Sequence, residues 1–221
     1  MKFKDNFYWL LLLIPVVFIG WYIKNKIENK PLRTLPYFGQ KNSIKKGDTA
    51  FHKVKPFCFI NQYNEKVTEE SVKNKIYVTD FFFTTCQSIC PIMSTQLERV
   101  YTQFSTNNEV MILSHTVSPE EDSVNILKQY AMLHGVKDKR WLFLTGEKKQ
   151  LYDMARHAYL LNNEYGLGDE DDFIHTQNFA LVDKEKHLRG FYDGTDSADV
   201  TRLISDIKLL LQAYEYDKNL N

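Results

Sequence analysis

The pattern of hydrophobic and polar positions divides the chain into an N-terminal appendage and one longer folded part. Residues 7–23 are apolar and uncharged, residues 24–50 are polar with scattered Pro and Gly, and regular hydrophobic periodicity begins only after them. Such a change of pattern is typical of a boundary between a tether and a domain. We therefore divide the chain into an N-terminal stub (1–6), a hydrophobic segment (7–23), a polar tether (24–50) and a single domain (51–221).

The hydrophobic segment at residues 7–23 predicts a helix that crosses a membrane. Its length is close to that of the shortest helix spanning a hydrocarbon core of about 30 Å, and aromatic residues stand at both of its ends. No small-residue cleavage site follows it, so we expect an uncleaved anchor rather than a signal peptide. More lysine and arginine follow the segment than precede it, and that count alone would leave the domain in the cytoplasm.

Within the domain, short apolar runs alternate with segments of helical periodicity. The apolar runs predict strands at residues 57–60, 66–68, 76–83, 110–113, 141–145, 178–183 and 188–192. Helical spacing predicts helices from residue 91, from residue 119, around 151–158 and at 200–214. The second of these is expected to begin at Pro119, because Ser118 and Glu121 complete a capping box around it. This alternation predicts a parallel sheet with helices on both faces.

Two cysteines lie where the most apolar predicted strand ends and a helix begins. Pro91 suits a first helical position, so Cys90 stands at the expected N-cap, where free amides and the helix dipole favour thiolate. We therefore expect Cys90 to be a partly exposed thiol with a low pKa. Cys86 is four positions earlier, and in a helix-like turn the two side chains share one face. The pair could form a disulfide or hold one soft metal ion such as Cu(I) or Zn, although two thiolates leave an ion under-coordinated.

The order of elements matters for finding a third ligand. A strand that delivers cysteines to a helix, a following βα section, a late hairpin and a last helix together make the arrangement of the thioredoxin fold, a central mixed sheet flanked by helices. That topology returns the chain beside the thiols just before the late hairpin, so His175 is the first candidate ligand. His115, which ends a strand at the same edge of the sheet, is a possible auxiliary group. The remaining histidines are interpreted as solvated or capping residues: His52, His134, His157 and His187.

Two further polar or reactive residues interrupt predicted strands. Cys58 has no neighbouring cysteine, and we interpret it as a buried, inert thiol that acts as a small core residue. Asp80 breaks the run that leads to the thiols, and a buried carboxyl group must be hydrogen-bonded or shifted in pKa. It could tune the thiols or accept a proton, or it could be a satisfied structural residue.

Charge and cysteine content exclude two classes of protein. The chain carries 28 Lys and Arg against 28 Asp and Glu, so no basic excess favours nucleic acid as a partner. Three cysteines are too few for a disulfide-stapled secreted scaffold, and their odd number leaves at least one thiol unpaired. The cysteines are therefore interpreted as reactive or metal-binding.

Four segments between roughly residues 51 and 214 form a specific combination: Thr85-Cys86-Gln87-Ser88-Ile89-Cys90-Pro91, residues 117–123, Leu144-Thr145-Gly146, and His175 ahead of Phe179-Ala180-Leu181-Val182-Asp183. In these segments the chain resembles the SCO/SenC family, membrane-anchored, thioredoxin-like proteins that handle copper during assembly of cytochrome c oxidase. Many members have Asp where this chain has Ile174, and the turn that commonly reads Asp-Pro-x-Arg-Asp is Ser118-Pro119-Glu120-Glu121-Asp122 here.

The resemblance implies a metal site, a partner and a location. Cys86, Cys90 and His175 would bind one copper ion per domain, as Cu(I) or Cu(II). The recipient would be cytochrome c oxidase subunit II or a similar copper acceptor, with another copper chaperone or a thioredoxin-like reductant as further partners. The domain would lie on the periplasmic, extracytoplasmic side of the membrane or in the mitochondrial intermembrane space. We prefer this location to the cytoplasmic one indicated by the lysine and arginine count, because that count is small on both sides of the segment.

Other functions stay open at this stage. The expected protein is a metallochaperone rather than an enzyme, but the same thiols could serve a thiol-disulfide reductase that keeps the recipient's cysteines reduced and needs no metal. A peroxidase relative is a third alternative. An acidic run at residues 169–172, just before His175, is either a solvated loop or a surface that steers a basic partner.

Overall fold

A computed structural model describes residues 34–40, 42–45, 48–161 and 176–220, together with Pro15, Phe18 and Ile19. The chain separates into two compact units, Met1–Arg33 and Thr34–Asn221. In the first unit the three described residues are helical, and the rest of the predicted membrane segment at 7–23 lies outside the described residues. None of the helices that can be described combines the length and apolar character needed to cross a bilayer.

The second unit is built on a mixed sheet. Nine strands are described: β1 (Asn42–Lys45), β2 (Asp48–Ala50), β3 (Cys58–Asn61), β4 (Lys66–Thr68), β5 (Ile76–Phe82), β6 (Val110–Thr116), β7 (Trp141–Thr145), β8 (Asn178–Val182) and β9 (Leu188–Asp193). The first two form a small hairpin, and the other seven form one sheet in the order β4-β3-β7-β6-β5-β8-β9. Strands β5, β6 and β7 are parallel, whereas the outer pairs are antiparallel.

Helices cover both faces of this sheet. They are α1 (Ile89–Gln103), α2 (Val124–Leu133), α3 (Lys148–Asp153), which continues into a π-helical turn (Met154–Ala158), and α4 (Ser197–Leu220). The buried sides of α1, α2 and α4 pack in one hydrophobic cluster on the first face of the sheet. The second face packs against α3 and the π-helical turn. The predicted arrangement of helices on both faces is confirmed, with parallel strands restricted to the centre of the sheet.

The central strands bring the cysteine loop and the end of β6 to one edge. In β5 every residue is buried, because the strand is covered on both faces, and its parallel partner β6 is buried along its whole length as well. Phe82 pairs with Thr116 at the carboxyl end of this ladder. Residues after these two strands therefore lie side by side, at the edge where open α/β sheets place their functional loops.

The folded unit includes residues upstream of position 51. Arg189 in β9 donates hydrogen bonds to the carbonyl oxygens of Leu35 at 2.6 Å and Pro36 at 3.1 Å, and its guanidinium lies 4.0 Å from the ring centre of Tyr37. The amide of Phe38 donates to the carbonyl of Leu188 at 2.9 Å. Residues 34–40, which the sequence analysis placed in the tether, thus contact the outer hairpin of the sheet.

The helix predicted to start at Pro119 begins later, at Val124, with Ser123 at the N-cap. Residues 118–122 form a turn instead, in which the amides of Glu121 and Asp122 donate to the carbonyl oxygen of Ser118 at 3.1 and 2.9 Å. The capping-box prediction is wrong because Asp122 directs its carboxylate into the protein, towards the ends of β5 and β6.

Candidate metal centre

The thiol loop begins with a tight turn immediately after β5. The amide of Cys86 donates to the carbonyl oxygen of Phe83 at 3.2 Å, which closes a four-residue turn around Thr84 and Thr85. Helix α1 starts three residues later at Ile89, and its N-cap residue makes no side-chain capping bond. Both thiols therefore stand at the amino end of α1, one in the loop before it and one in its first turn.

Cys90 is the buried member of the pair. Its side chain is only 4% exposed and belongs to the hydrophobic cluster on the first face of the sheet. Burial raises the pKa of the Cys90 thiol to about 12, and the neighbouring Cys86 thiol and the Asp80 carboxylate act in the same direction. A thiolate at Cys90 is therefore costly unless a cation, such as a metal ion, is bound to it.

Cys86 is half-buried and is surrounded by hydrogen-bond donors. Burial by itself would raise the pKa of its thiol, but donors from Cys90 and Ser88 outweigh this effect and hold the pKa below its ordinary value. The Cys90 amide lies 3.5 Å from the Cys86 sulfur, and the Ser88 hydroxyl lies 3.6 Å from it. Cys86 is thus the thiol that can ionise readily while solvent or a partner protein can reach it.

The structure reverses the sequence-based assignment of the two thiols. We predicted a low pKa and partial exposure for Cys90, because Pro91 was expected to start the helix. The helix starts two residues earlier, at Ile89, so Cys90 turns into the core, where desolvation exceeds the influence of the helix terminus. The favourable amino-terminal position is used by Cys86, which receives the Cys90 amide.

His175 lies outside the described residues, as does the acidic run at residues 169–172. The described chain resumes at Thr176, which is 8% exposed, and enters β8 at Asn178. Strand β8 is antiparallel to β5, with Ala180 opposite Thr79. The start of β8 is therefore at the same edge of the sheet as the carboxyl end of β5.

His115 does not lie with the thiols. Its ring is fully buried on the second face of the sheet, between Phe81, stacked at 5.0 Å, and Phe59 and Tyr159, at 5.5 and 5.4 Å between ring centres. Burial lowers the pKa of His115 to about 3, and Nδ1 lies 3.1 Å from the Thr79 hydroxyl. We assign it to the core rather than to the site, because Cys90 packs on the opposite face.

Asp80 is a buried carboxyl group in the strand that carries the thiol loop. It is 2% exposed and accepts a hydrogen bond from the Ser114 hydroxyl at 2.5 Å, which in turn accepts one from the indole of Trp141 at 2.9 Å. Burial raises the pKa of Asp80 to about 7, against the opposing effect of the Ser114 hydrogen bond. Its charge also contributes to the high pKa of Cys90.

The prediction that Cys58 is a buried thiol is wrong. Phe57 and Phe59 occupy the buried side of this segment, and the alternation of a strand leaves Cys58 exposed between them. The sequence signal for an exposed Cys58 was its position between two phenylalanines, because neighbouring residues of a strand face opposite sides. In the residues that the structure describes, all three cysteines are free thiols.

Sequence analysis missed one residue that contacts the thiol loop. Asp122, buried in the turn before α2, accepts hydrogen bonds from the amide and hydroxyl of Thr84 and from the hydroxyl of Thr116. The available signal was its position in the family-like turn at 118–122, but the capping box predicted that this stretch is the first turn of a helix.

A second group of metal-ligand side chains lies far from the thiols. Ligand atoms of Asp183, Glu185 and His187 lie within 4.8 Å of one another. Asp183 is already paired with Arg189 at 2.8 Å and accepts the amides of Glu185 and His187 at 3.0 and 2.9 Å. These contacts satisfy the carboxylate as part of the turn between β8 and β9.

Comparison with known proteins places the chain among its relatives. The SCO1/SenC family model matches residues 45–212. The SCO1 protein homolog of Bacillus subtilis is 31% identical over 163 residues, which cover 73% of this chain and 84% of that protein. An SCO2-like protein of Rickettsia typhi is 24% identical over 157 residues, covering 69% and 72% of the two chains.

Solved structures agree with this assignment. BsSco, described as a member of the Sco family of cytochrome c oxidase assembly proteins, matches with a TM-score of 0.61 at 30% identity, covering 72% of this chain and 93% of that chain. Yeast Sco1 with copper bound matches with a TM-score of 0.55 at 22% identity, over 71% and 89% of the two chains, a likeness of fold alone. These matches confirm the predicted mixed α/β, thioredoxin-like fold. The family model and the Bacillus homologue both span most of the domain, and the chain therefore belongs to the SCO1/SenC family.

Proposed function

We propose that this protein is a copper-binding chaperone that delivers copper to, or matures, the copper site of cytochrome c oxidase subunit II or a similar acceptor. Copper is its cargo, one ion per domain, held by the Cys86 and Cys90 sulfurs and the His175 imidazole. Residues 7–23 would anchor the domain to a membrane, with the domain on the extracytoplasmic side.

One observation carries the proposal: two unequal thiols lie together at the amino end of α1. Cys86 ionises readily, whereas Cys90 is buried with a pKa raised to about 12 by desolvation. A soft cation satisfies both thiols, because it stabilises the buried thiolate that water cannot reach. Family membership supports copper as that cation, since related Sco proteins from yeast and Arabidopsis thaliana have been solved with copper bound.

The third ligand is proposed from topology. Strand β8 starts at the sheet edge that also carries the thiol loop, and His175 precedes Thr176 by one residue. A third ligand completes the trigonal coordination that two thiolates and an imidazole offer to Cu(I). An acceptor thiolate or imidazole could then enter before a donor leaves, and it would approach from the side of Cys86, the less buried of the two thiols.

Loading is proposed to depend on redox state. Metal binding needs both thiolates, so oxidation of Cys86 and Cys90 to a disulfide would remove two of the three ligands. Support comes from BsSco, for which a disulfide switch has been described.

Cu(I) titration of the reduced protein against a competing chelator tests the proposal. Wild type is expected to bind one tight equivalent, and Cys86→Ser, Cys90→Ser and His175→Ala are each expected to weaken it by about tenfold or more. Cys58→Ser is the matched control, because this third cysteine is exposed on another strand, and it should bind like wild type. Tight binding that survives Cys86→Ser or His175→Ala would contradict the proposed ligand set.

The second candidate function, a thiol-disulfide reductase, is favoured by the same asymmetry. A readily ionised, accessible Cys86 followed by a buried Cys90 is the arrangement of an attacking and a resolving thiol. This function gives no role to His175. Rates of peptide-disulfide reduction by metal-free protein separate the two candidates: a fast rate unchanged in His175→Ala, together with no tight copper binding, would favour the reductase.

A further inference from the structure

We propose that Asp122 is a positioning residue for the thiol site, holding the turn that presents Cys86 so that the dithiol form is favoured over the disulfide. The proposal rests on the proposed function in so far as the Cys86–Cys90 pair is the working part of the protein. Asp122 itself contacts neither sulfur; it acts through the Phe83–Cys86 turn.

The contacts of Asp122 converge on that turn. The side chain is 1% exposed, and both of its oxygens lie 3.3 Å from the amide nitrogen of Thr84. The hydroxyl of Thr84 donates to the same carboxylate, and so does the hydroxyl of Thr116 at the end of β6. Asp122, which immediately precedes the N-cap of α2, thus connects the loop after β5 to the end of β6 through its carboxylate.

Thr84 is the residue through which this contact reaches Cys86. It is the second residue of the turn closed by the Cys86 amide and the Phe83 carbonyl, at 3.2 Å. Phe82, two residues before Thr84, is fixed by the amide of Val117, which donates to its carbonyl at 2.8 Å. With Asp122 in place, the residues on both sides of Phe83 are held by the end of β6 and the turn that follows it.

The chemistry of the site requires a carboxylate rather than an amide. Three donor groups point at Asp122, and a carboxylate can accept all of them with two oxygens. Asparagine would offer one oxygen and turn an NH₂ group towards a donor. No lysine, arginine or histidine nitrogen of the described chain lies within ion-pair distance of Asp122, so these hydrogen bonds are its compensation for burial.

Loosening the turn would act mainly on the reduced form. In that form the Cys90 amide and the Ser88 hydroxyl lie 3.5 and 3.6 Å from the Cys86 sulfur, so the turn holds this sulfur against two donors. A sulfur bonded to Cys90 in a disulfide is a weaker acceptor and gains less from them. Removing Asp122 should therefore destabilise the dithiol relative to the disulfide, so that the pair becomes easier to oxidise.

The test is the redox equilibrium of the metal-free protein with glutathione. The dithiol gives two electrons and two protons to oxidised glutathione, forming one protein disulfide and two glutathione thiols. In Asp122→Asn the equilibrium is expected to shift towards the disulfide by about tenfold, which corresponds to a potential about 30 mV more negative. Asp183→Asn is the matched control, an equally buried carboxylate in the turn between β8 and β9.

The outcomes separate a positioning role from a structural one. A shift in Asp122→Asn with no shift in Asp183→Asn supports the proposal. No shift in Asp122→Asn, or equal shifts in both variants, overturns it, whatever the loss of stability. Should Asp122→Asn fail to fold, Thr84→Val and Thr84→Ser replace it: the valine variant is expected to shift the equilibrium and the serine variant to restore it, whereas equal equilibria overturn the proposal.

Failure of the proposed function would be seen in a different measurement. The redox experiment contains no copper, so a wild-type protein that binds no Cu(I) in the chelator titration would refute the chaperone without changing the redox result. Conversely, tight copper binding with an unchanged potential in Asp122→Asn would leave the chaperone intact and remove Asp122 from the site.

Discussion

Asp80→Asn is expected to change how stability depends on pH. In the folded protein burial raises the pKa of Asp80 from 3.8 to about 7. The unfolded carboxyl group ionises from about pH 4 upward, whereas the folded one keeps its proton until about pH 7. Unfolding therefore releases a proton in this window, and the stability of wild type falls as the pH rises through it.

The magnitude follows from the difference between the two pKa values. At about 1.4 kcal/mol for each pH unit, the interval from 3.8 to about 7 corresponds to about 4 kcal/mol of unfolding free energy. Because part of the window lies below pH 5, about 3 kcal/mol should be lost between about pH 5 and about pH 8. Asparagine cannot ionise, still accepts the Ser114 hydroxyl, and should lack this loss.

Urea unfolding of the metal-free, reduced protein across this pH range measures the effect. The free-energy curves of wild type and Asp80→Asn should diverge as the pH rises, in favour of the variant. Ser114→Ala provides a second check. The Ser114 hydrogen bond lowers the pKa of Asp80, so without it the decrease in unfolding free energy should continue to a higher pH. Parallel curves for wild type and Asp80→Asn would refute the reasoning.

Three further predictions concern the thiol site and the core. In Asp80→Asn the pKa of Cys90 should fall, because burial, Cys86 and the charge of Asp80 all raise it and the variant removes the last of these. A titration followed by thiolate absorbance should show the upper of the two thiol transitions at a lower pH. Leu97→Ala, at a fully buried position of α1, should cost about 2–5 kcal/mol in chemical denaturation. Arg189→Ala leaves the buried carboxylate of Asp183 without its partner and should cost about 3–5 kcal/mol by the same measurement.

The sequence predicted the fold best where hydrophobicity is continuous. Strand β5 is buried at every position, and its apolar run located it to within one residue. The start of α2 was misplaced, because a capping box is a local signal. Asp122 instead accepts hydrogen bonds from Thr116 at the end of β6 and from Thr84 in the loop after β5, which is distant in sequence. Such a tertiary contact outweighs a local preference worth about 1 kcal/mol.

For the site, residue chemistry was predictable and environment was not. Spacing and position predicted Cys86 and Cys90 as the candidate pair, but the difference between their environments depends on which side chain faces the core. The start of the helix decides which thiol faces the core. The structure starts it at Ile89 rather than at Pro91, a difference within the ordinary uncertainty of predicted helix ends. Asp122 stood in the family-like turn at residues 118–122, but its role was not predictable, since it depends on donors brought to it by the parallel pairing of β5 and β6.

The two thiols have different surroundings, and in the proposed copper site this difference would constrain how a metal ion enters and leaves. Cys90 is packed with Met93 and Leu97 of α1 in the hydrophobic cluster, so its position is coupled to the core and it can move little. Cys86 is half-buried: it packs against the edge of the same cluster and also makes polar contacts in a loop that can rearrange at lower cost. If the proposed copper site is correct, an acceptor would displace the ion from Cys86 first and from Cys90 last, because release of the buried sulfur would require a proton to reach it as the cation departs.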